Sequence, residues 1–443
     1  MSYPRIVLAA TKSGSGKTTV TCGILSALKK ENMQVCSFKC GPDYIDPMFH
    51  RNVLGVPSGN LDTYFTDHST TRGIFVKEYI GELAIIEGVM GLYDGAQGLN
   101  QLGSTYDLAI ALKAPIVLVI DGKGAGYSIL AEIRGFLDYD SENLIVGVIL
   151  NRTSAAFGAK IGNLIEEELH ISYLGNVTDC QELHLSGRHL GLVLPNEIDD
   201  IHAKLEKQTE IIEAGVDLGS FINLAVEYSE PFEEIDFPIE RQTEKVKIGI
   251  AFDDAFCFYY RENLDLLEAF GAQLTFFSPI KDSKLPDGIQ GLILGGGYPE
   301  NYLKQLSSNK PMLEDIKNRI NKGLPTLAEC GGFMYLMDRI VDRDNNSFSM
   351  VGLIPGEAMW QGKLSRFGYA RFENDRFSIK GHEFHYFDTD NNGDDFTAIK
   401  PSGQTFKCIH KIGSVIAGFP HLYYPSAPDF ARRFIEEAAN YEV

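Results

Sequence analysis

An apolar run, IVLAA at 6–10, passes directly into TKSGSGKTT at 11–19 and then into helix-like sequence from Thr18 to Lys30. No other stretch of the chain narrows its fold so sharply. Glycines ahead of a lysine and a hydroxyl at a helix start let backbone amides and the helix N-terminus close around a polyphosphate. Lys12, Gly14, Gly16, Lys17, Thr18 and Thr19 are therefore the expected ATP-binding residues. Lys17 would neutralise the β- and γ-phosphates and Thr18 would ligate Mg²⁺. The usual pattern has Gly six residues before that lysine. Here Thr11 stands there and a second lysine, Lys12, follows it, which is the deviant Walker A arrangement.

A loop of this kind needs a parallel sheet behind it. β-Branched runs recur as VCSFK at 35–39, LAIIEG at 83–88, PIVLVID at 115–121 and LIVGVILN at 144–151, with helix-like stretches such as Ile161 to Leu169 between them. The alternation predicts βαβ units and a doubly wound α/β sheet. Ligands in such sheets meet the carboxyl ends of the strands. That points to Asp43, Tyr44 and Asp46 in CGPDYIDP, to Glu87 closing LAIIE, and to Asp94 in GVMGLYDG. Asn151, closing LIVGVILN, is a candidate for reading the nucleotide base and equally an ordinary turn residue.

Forty Lys and Arg against sixty Asp and Glu leave the chain at -20. That argues against nonspecific nucleic-acid binding or attachment to a membrane surface. Its apolar runs fall far short of the roughly 18 residues of a membrane span. The one ahead of Lys12 is also shorter than the roughly 7–15 residues of a signal-peptide core. Seven scattered cysteines, an odd number, read as reduced thiols. A cytoplasmic protein is expected.

At 443 residues, two or three domains are expected. The acidic, proline-containing stretch 229–245 reads as a linker between a domain at 1–228 and a second α/β domain at 246–443. Alternation restarts there with VKIGIAF, AQLTFFS, GLILGG and PTLAE. The run PTLAECGGFMYLM sets Cys330 between a strand and a helix, with Gly331 and Gly332 permitting a sharp turn. This pattern predicts a nucleophile elbow, its sulfur exposed and its pKa lowered by the helix N-terminus. His421 in AGFPHLYYP is the candidate base, and Gly296 and Gly297 in GGGYPE are candidate oxyanion-hole donors. Cys36 and Cys40 form a CxxxC with no second ligand pair nearby. His382 and His385 in GHEFHYF would point to opposite faces of a strand, favouring substrate contact or packing over a metal.

In this order, TKSGSGKTT, CGPDYIDP, EGVMGLYDG, LGGGYPE, AECGGFMYL, GHEFHY and the His421 segment resemble one family over nearly the whole chain. It is that of the cobyrinate and hydrogenobyrinate a,c-diamide synthases, glutamine-dependent amidoligases of corrinoid biosynthesis. The resemblance implies an N-terminal synthetase domain similar to dethiobiotin synthetase and a C-terminal class I glutamine amidotransferase domain. It further implies ATP, L-glutamine and a tetrapyrrole polycarboxylate as substrates, the a- and c-acetates being amidated through acyl phosphates. Cys330 and His421 would release ammonia. Thr18, Glu87 and Asp43 would hold Mg²⁺, while Asp43, Tyr44, Asp46 and Asp94 would position the carboxylate or its intermediate. Triad amidotransferases carry Glu two residues beyond the histidine, whereas Tyr423 stands there in this chain. A Cys–His pair and a weak glutaminase are implied.

Two other readings stand beside this one. The same motifs would serve nickel sirohydrochlorin a,c-diamide synthesis. A deviant Walker A switch that dimerises on ATP would account for the loop but leave the Cys330 domain without a task. Arg366 and Lys363 are candidates for contacting the carboxylates of the polycarboxylate substrate. The oligomeric state stays open, a homo-oligomer included.

Overall fold

A computed structural model describes residues 3–179, 187–188, 191–192, 201–232 and 245–442. The chain divides into two compact units, Met1–Phe237 and Pro238–Val443. Most of the linker expected at 229–245 lies outside the described residues, as does Cys180.

The first unit begins with β1 (Arg5–Ala10), α1 (Lys17–Lys30), β2 (Val35–Cys40), α2 (Ile45–Phe49), β3 (Ser58–Leu61), α3 (His68–Glu78) and β4 (Leu83–Glu87). It continues with α4 (Thr105–Leu112), β5 (Ile116–Asp121), α5 (Ile129–Tyr139), β6 (Ile145–Asn151), α6 (Ala155–Leu169) and β7 (Ser172–Val177). A short ladder, β8 (Gly187–Arg188) and β9 (Gly191–Leu192), precedes α7 (Ile201–Gly215) and α8 (Leu218–Tyr228). The seven long strands are all parallel, in the order β3-β2-β4-β1-β5-β6-β7. β1, β2, β4 and β6 are buried at every residue. Covered on both faces, such strands read as continuous apolar runs rather than as alternating ones. β1 lies mid-sheet between β4 and β5, so the strand order reverses there, and the loop after β1 opens into the crevice at the carboxyl ends.

The second unit opens with β10 (Val246–Ala251), α9 (Arg261–Ala269), β11 (Ala272–Phe277), β12 (Gly291–Leu294), α10 (Leu303–Ser308), α11 (Lys310–Asn321), β13 (Thr326–Glu329) and α12 (Gly331–Leu336). Then come β14 (Met337–Val341), β15 (Ser347–Ser349), β16 (Ile354–Trp360), β17 (Arg366–Glu373), β18 (Ser378–His385) and β19 (Phe387–Asp388). β20 (Phe396–Ile399), β21 (Thr405–Cys408), β22 (His410–Ile412), β23 (Val415–Gly418), β24 (His421–Leu422) and α13 (Pro428–Ala439) complete it. Its main sheet runs β11-β10-β12-β13-β23-β22, parallel except for β22. The expected alternation therefore holds as far as β13. Beyond it the chain adds two smaller sheets, β15-β14-β16-β19 and β21-β20-β17-β18-β24. The helix expected after Cys330 is only six residues long, and Met337 already begins β14. Phe333, Tyr335 and Leu336 of that helix sink into a core shared with Phe256 and Phe419. No helix among the described residues is long and apolar enough to cross a membrane.

Candidate functional site

Gly16, at φ 90°, ends the phosphate loop and leaves α1 without a side-chain cap. The first amides of a 14-residue helix thus stay open to an anion. A Cβ on Gly16 would collide with Asn151 Nδ2. The glycine lets the end of β6 approach, and Asn151 donates its amide to the Ser15 carbonyl at 2.8 Å. The structure thus engages Asn151 in bracing the loop. Arg152, at φ 58°, donates to the Gly14 carbonyl at 2.8 Å and pairs with Asp121 at 2.6 Å. Lys12 lies exposed at the rim, and the Thr19 carbonyl accepts a hydrogen bond from Gln208 on α7.

Behind the loop lies a buried charge cluster. Lys17 donates to the Met90 carbonyl at 2.5 Å. Burial, then repulsion from Lys39, lowers its pKa to about 8. Thr18 Oγ1 donates to Glu87 Oε1 at 2.5 Å. Lys39, the register partner of Glu87 across β2 and β4, reaches Glu87 Oε1 at 2.7 Å and Asp46 Oδ2 at 2.6 Å. One ammonium thus serves two carboxyls. Burial raises Glu87 to about 7, with Lys39 offsetting part of the rise. Burial also acts to raise Asp46, but Lys39 outweighs it and holds that carboxylate low. Burial works against the charge of Lys39, yet Asp46 and Glu87 hold its pKa well above the ordinary lysine value. His50 Nε2 stands 3.7 Å from Glu87 Oε2.

The other acidic candidates hold the loops around this cluster. Asp43 Oδ1 accepts the amides of Ile45 and Asp46 at 2.8 and 3.1 Å, and burial followed by Asp46 raises it to about 6. Tyr44 is buried at the start of α2, and Asp94 Oδ2 accepts the Gly91 amide at 2.9 Å. Lys39 and His50 were not among the sequence candidates. The available signal was a lysine inside a largely apolar buried strand, a place lysine takes only when paired.

In the second unit Cys330 sits between β13 and α12 at φ 47°, a backbone region that costs a non-glycine residue energy. Its amide donates to the Gly418 carbonyl at 2.8 Å. The glycines of the β12 end pack onto this elbow. Gly332 donates to the Gly295 carbonyl at 3.0 Å, and the Gly297 nitrogen lies 3.4 Å from where a Cβ on Gly331 would stand. A Cβ on Gly296 would strike His421 Cε1. Two adjacent glycines therefore touch the elbow and the imidazole, placing Cys330 and His421 on one site. His421 is register partner to His382. Their rings stack at 4.9 Å and 15°, and the Tyr260 hydroxyl lies 3.1 Å from His382 Nδ1. His385 points away from that stack and lies flat on Phe419 at 4.0 Å.

The expectation of an exposed, acidified thiol does not hold. Cys330 is 7% exposed, and burial followed by the charge of Glu300 drives its pKa above the usual thiol value, although the Gly331 amide hydrogen-bonds the sulfur. A six-residue helix has too few aligned dipoles to offset a core closing over the sulfur. Burial, then His382 and His385, pushes His421 well below the usual imidazole value. Both shifts favour the uncharged forms, a protonated thiol and a neutral imidazole. Thiolate reactivity rises about tenfold per pH unit below the pKa, and an ordinary cysteine levels off near pH ~8.5. Alkylation of Cys330 by iodoacetamide should still be climbing at about pH 9.5, followed by mass spectrometry of the Cys330 peptide. A plateau near neutral pH would contradict the buried, protonated thiol.

Residues 6–193 match the family model of the CobQ/CobB/MinD/ParA nucleotide binding domain, and residues 247–428 that of the CobB/CobQ-like glutamine amidotransferase domain. A cobyrinate a,c-diamide synthase from Caldanaerobacter subterraneus subsp. tengcongensis is 39% identical, over 98% of this chain and 98% of its own. The chain belongs to the cobyrinate a,c-diamide synthase family. Proteins of that name from Priestia megaterium and Picrophilus torridus are 37% and 36% identical over 99% of this chain, covering 97% and 100% of their own lengths. Membership makes the chain a glutamine-dependent amidating ligase of cobalamin biosynthesis with a nucleotide-binding half. Among its described residues no cluster of three His, Cys, Asp or Glu side chains forms a ready-made metal site.

Proposed function

We propose that this family member converts the a- and c-acetate carboxylates of cobyrinate to amides, using ATP and ammonia cut from glutamine. Residues 1–228 serve as the synthetase and 246–443 as the glutaminase. The observation that carries the reading is the joint presence of an open phosphate loop backed by Lys17, Lys39 and Glu87 and a Cys330 elbow sharing its glycines with His421. The relatives' name supports cobyrinate as the substrate.

A carboxylate is a poor electrophile, so its oxygen first attacks the γ-phosphorus of ATP, and ADP leaves. Ammonia then adds to the carbonyl carbon of the acyl phosphate, and inorganic phosphate departs. Lys17 and the α1 amides stabilise the charge on the transferring phosphoryl group, with Lys12 at the rim. The oxygens of Thr18 and Glu87 fit Mg²⁺, which takes one or two carboxylates plus phosphate oxygens. Glu87 Oε2 is buried without a hydrogen-bond partner among the described residues, so the carboxylate keeps an oxygen for a cation. When bound, the metal would neutralise phosphate charge. Asp43 would complete its surroundings, and Tyr44, Asp46 and Asp94 would shape the carboxylate's seat.

In the glutaminase, Cys330 Sγ attacks the side-chain amide of glutamine while His421 takes the thiol proton and returns it to the departing ammonia; water then cleaves the glutamyl thioester, releasing glutamate and the thiol. Amides of Gly296 and Gly297 receive the oxyanion. With Tyr423 in the place of the triad carboxylate, stacking against His382 fixes the plane of His421. The test is mass spectrometry of cobyrinate after incubation with the protein, ATP, Mg²⁺ and glutamine, with nickel sirohydrochlorin as a parallel arm. Two successive carboxyl-to-amide conversions of cobyrinate, with ADP formed, are expected. Conversion of the nickel macrocycle alone would reassign the substrate, and ATP hydrolysis with neither converted would remove the reading.

A further inference from the structure

We propose that the face of the β17–β18 ladder bearing Arg366 and Glu383 binds the α-amino acid head of glutamine, Glu383 taking the α-ammonium and Arg366 the α-carboxylate. This rests on the reading of the second unit as a glutaminase and names the part of the donor that the Cys330 chemistry does not touch.

Glu383 is 1% exposed, and its only cation in the second unit's described residues is held weakly. Arg366 Nη1 stands 3.4 Å from Glu383 Oε1 through a single nitrogen, while Glu383 Oε2 has no hydrogen-bond partner among the described residues. A buried carboxylate with one long contact carries most of its desolvation cost uncompensated. Beside it lies a second unserved acceptor. His385 Nδ1 is 2.6 Å from the Phe387 carbonyl. A carbonyl only accepts, so Nδ1 carries a proton and donates it, which leaves Nε2 as the ring atom facing Glu383. That Nε2 is also buried without a partner and lies 3.8 Å from Glu383 Oε1. Two acceptors converge with no donor between them. An alkylammonium, with three N–H groups and a positive charge, is the group that satisfies both.

There is room for it. The residue across the ladder from Glu383 is Gly368, and a Cβ there would meet no atom within 4 Å. Arg366, across from His385, lies over the Phe406 ring at 4.4 Å and keeps guanidinium donors for a carboxylate at the same corner. Packing links this corner to the Cys330 elbow. His385 stacks on Phe419, which packs edge-on against Phe333 of α12 at 5.1 Å, and α12 follows directly on Cys330. The charge of Glu383 is also felt at the Cys330 sulfur.

The test compares three nitrogen donors in the full reaction with ATP, Mg²⁺ and cobyrinate: L-glutamine, glutaramate, which is glutamine without its α-amino group, and ammonium chloride. The wild type should prefer glutamine over glutaramate by roughly 10- to 100-fold in kcat/KM, the range of a charge-assisted buried hydrogen bond. Glu383→Gln should raise the KM for glutamine by a similar factor, erase that preference, and leave the ammonium-driven rate unchanged. Wild-type protein that uses glutaramate as well as glutamine overturns the inference without any variant, which decides the matter even if the variant fails to fold. A variant that keeps the preference overturns it too. Wild-type protein that draws nitrogen only from ammonium would remove the glutaminase reading itself, and this inference with it.

Discussion

Replacing Cys330 by alanine should abolish amidation driven by glutamine, a fall of at least about 10³-fold, because no other group supplies the nucleophile. Amidation driven by ammonium salts should persist at the wild-type rate. The two outcomes come from one protein preparation: ammonium turnover shows that the synthetase is folded, so the missing glutamine turnover is chemical. Equal loss with both nitrogen sources would mean that Cys330 holds structure rather than attacking an amide. Undiminished glutamine turnover would move the nucleophile elsewhere. Among the described cysteines, Cys22, Cys36, Cys40 and Cys408 are buried and only Cys257 is partly exposed, and none of them lies at such an elbow.

Lys39→Met should be the most damaging single change in the synthetase. It leaves Glu87 and Asp46, both buried, without the ammonium that lies 2.7 and 2.6 Å from them. Removing one partner of a buried charge pair costs about 3–5 kcal/mol, since the abandoned charge stays desolvated. Urea unfolding followed on the intact chain should show a loss of that order in the transition of the first unit. Adding Glu87→Gln to Lys39→Met should recover part of it, because one of the two stranded carboxyls is then neutral. The rate with ammonium should stay at least about 10²-fold down in both variants, the size of a lost charge stabiliser at a transferring group. Wild-type stability in Lys39→Met would show that the cluster relaxes by taking up protons, and wild-type turnover would show that Lys39 does not serve the phosphoryl group.

The parts of the molecule legible in the sequence are those whose physics is local. A strand, two glycines, a lysine and a hydroxyl lie within fifteen residues, and the loop they build follows from backbone geometry alone. The strand, Cys330, Gly331 and Gly332 sequence is equally compact, and the structure places the elbow there. What failed to show depends on partners far apart in the chain. Lys39 finds Glu87 only because β2 and β4 are neighbours, 48 residues apart. His382 meets His421 through a pairing between β18 and β24. The exposed thiol is what a helix start by itself predicts. It fails because Phe333 and Phe419 are drawn into one core, and that burial is invisible in any short window. The two added sheets between β14 and β24 escaped for a further reason: their strands are mostly short, and several carry exposed residues that blur the alternation.

The seating of Cys330 also bears on the chemistry of oxygen. Peroxide attacks the thiolate and requires access to the sulfur, and the resting elbow denies both, with its sulfur protonated and only 7% exposed. Cys330 seated this way is kept reduced while at rest. A thiol held this way exchanges readiness to react for durability in air.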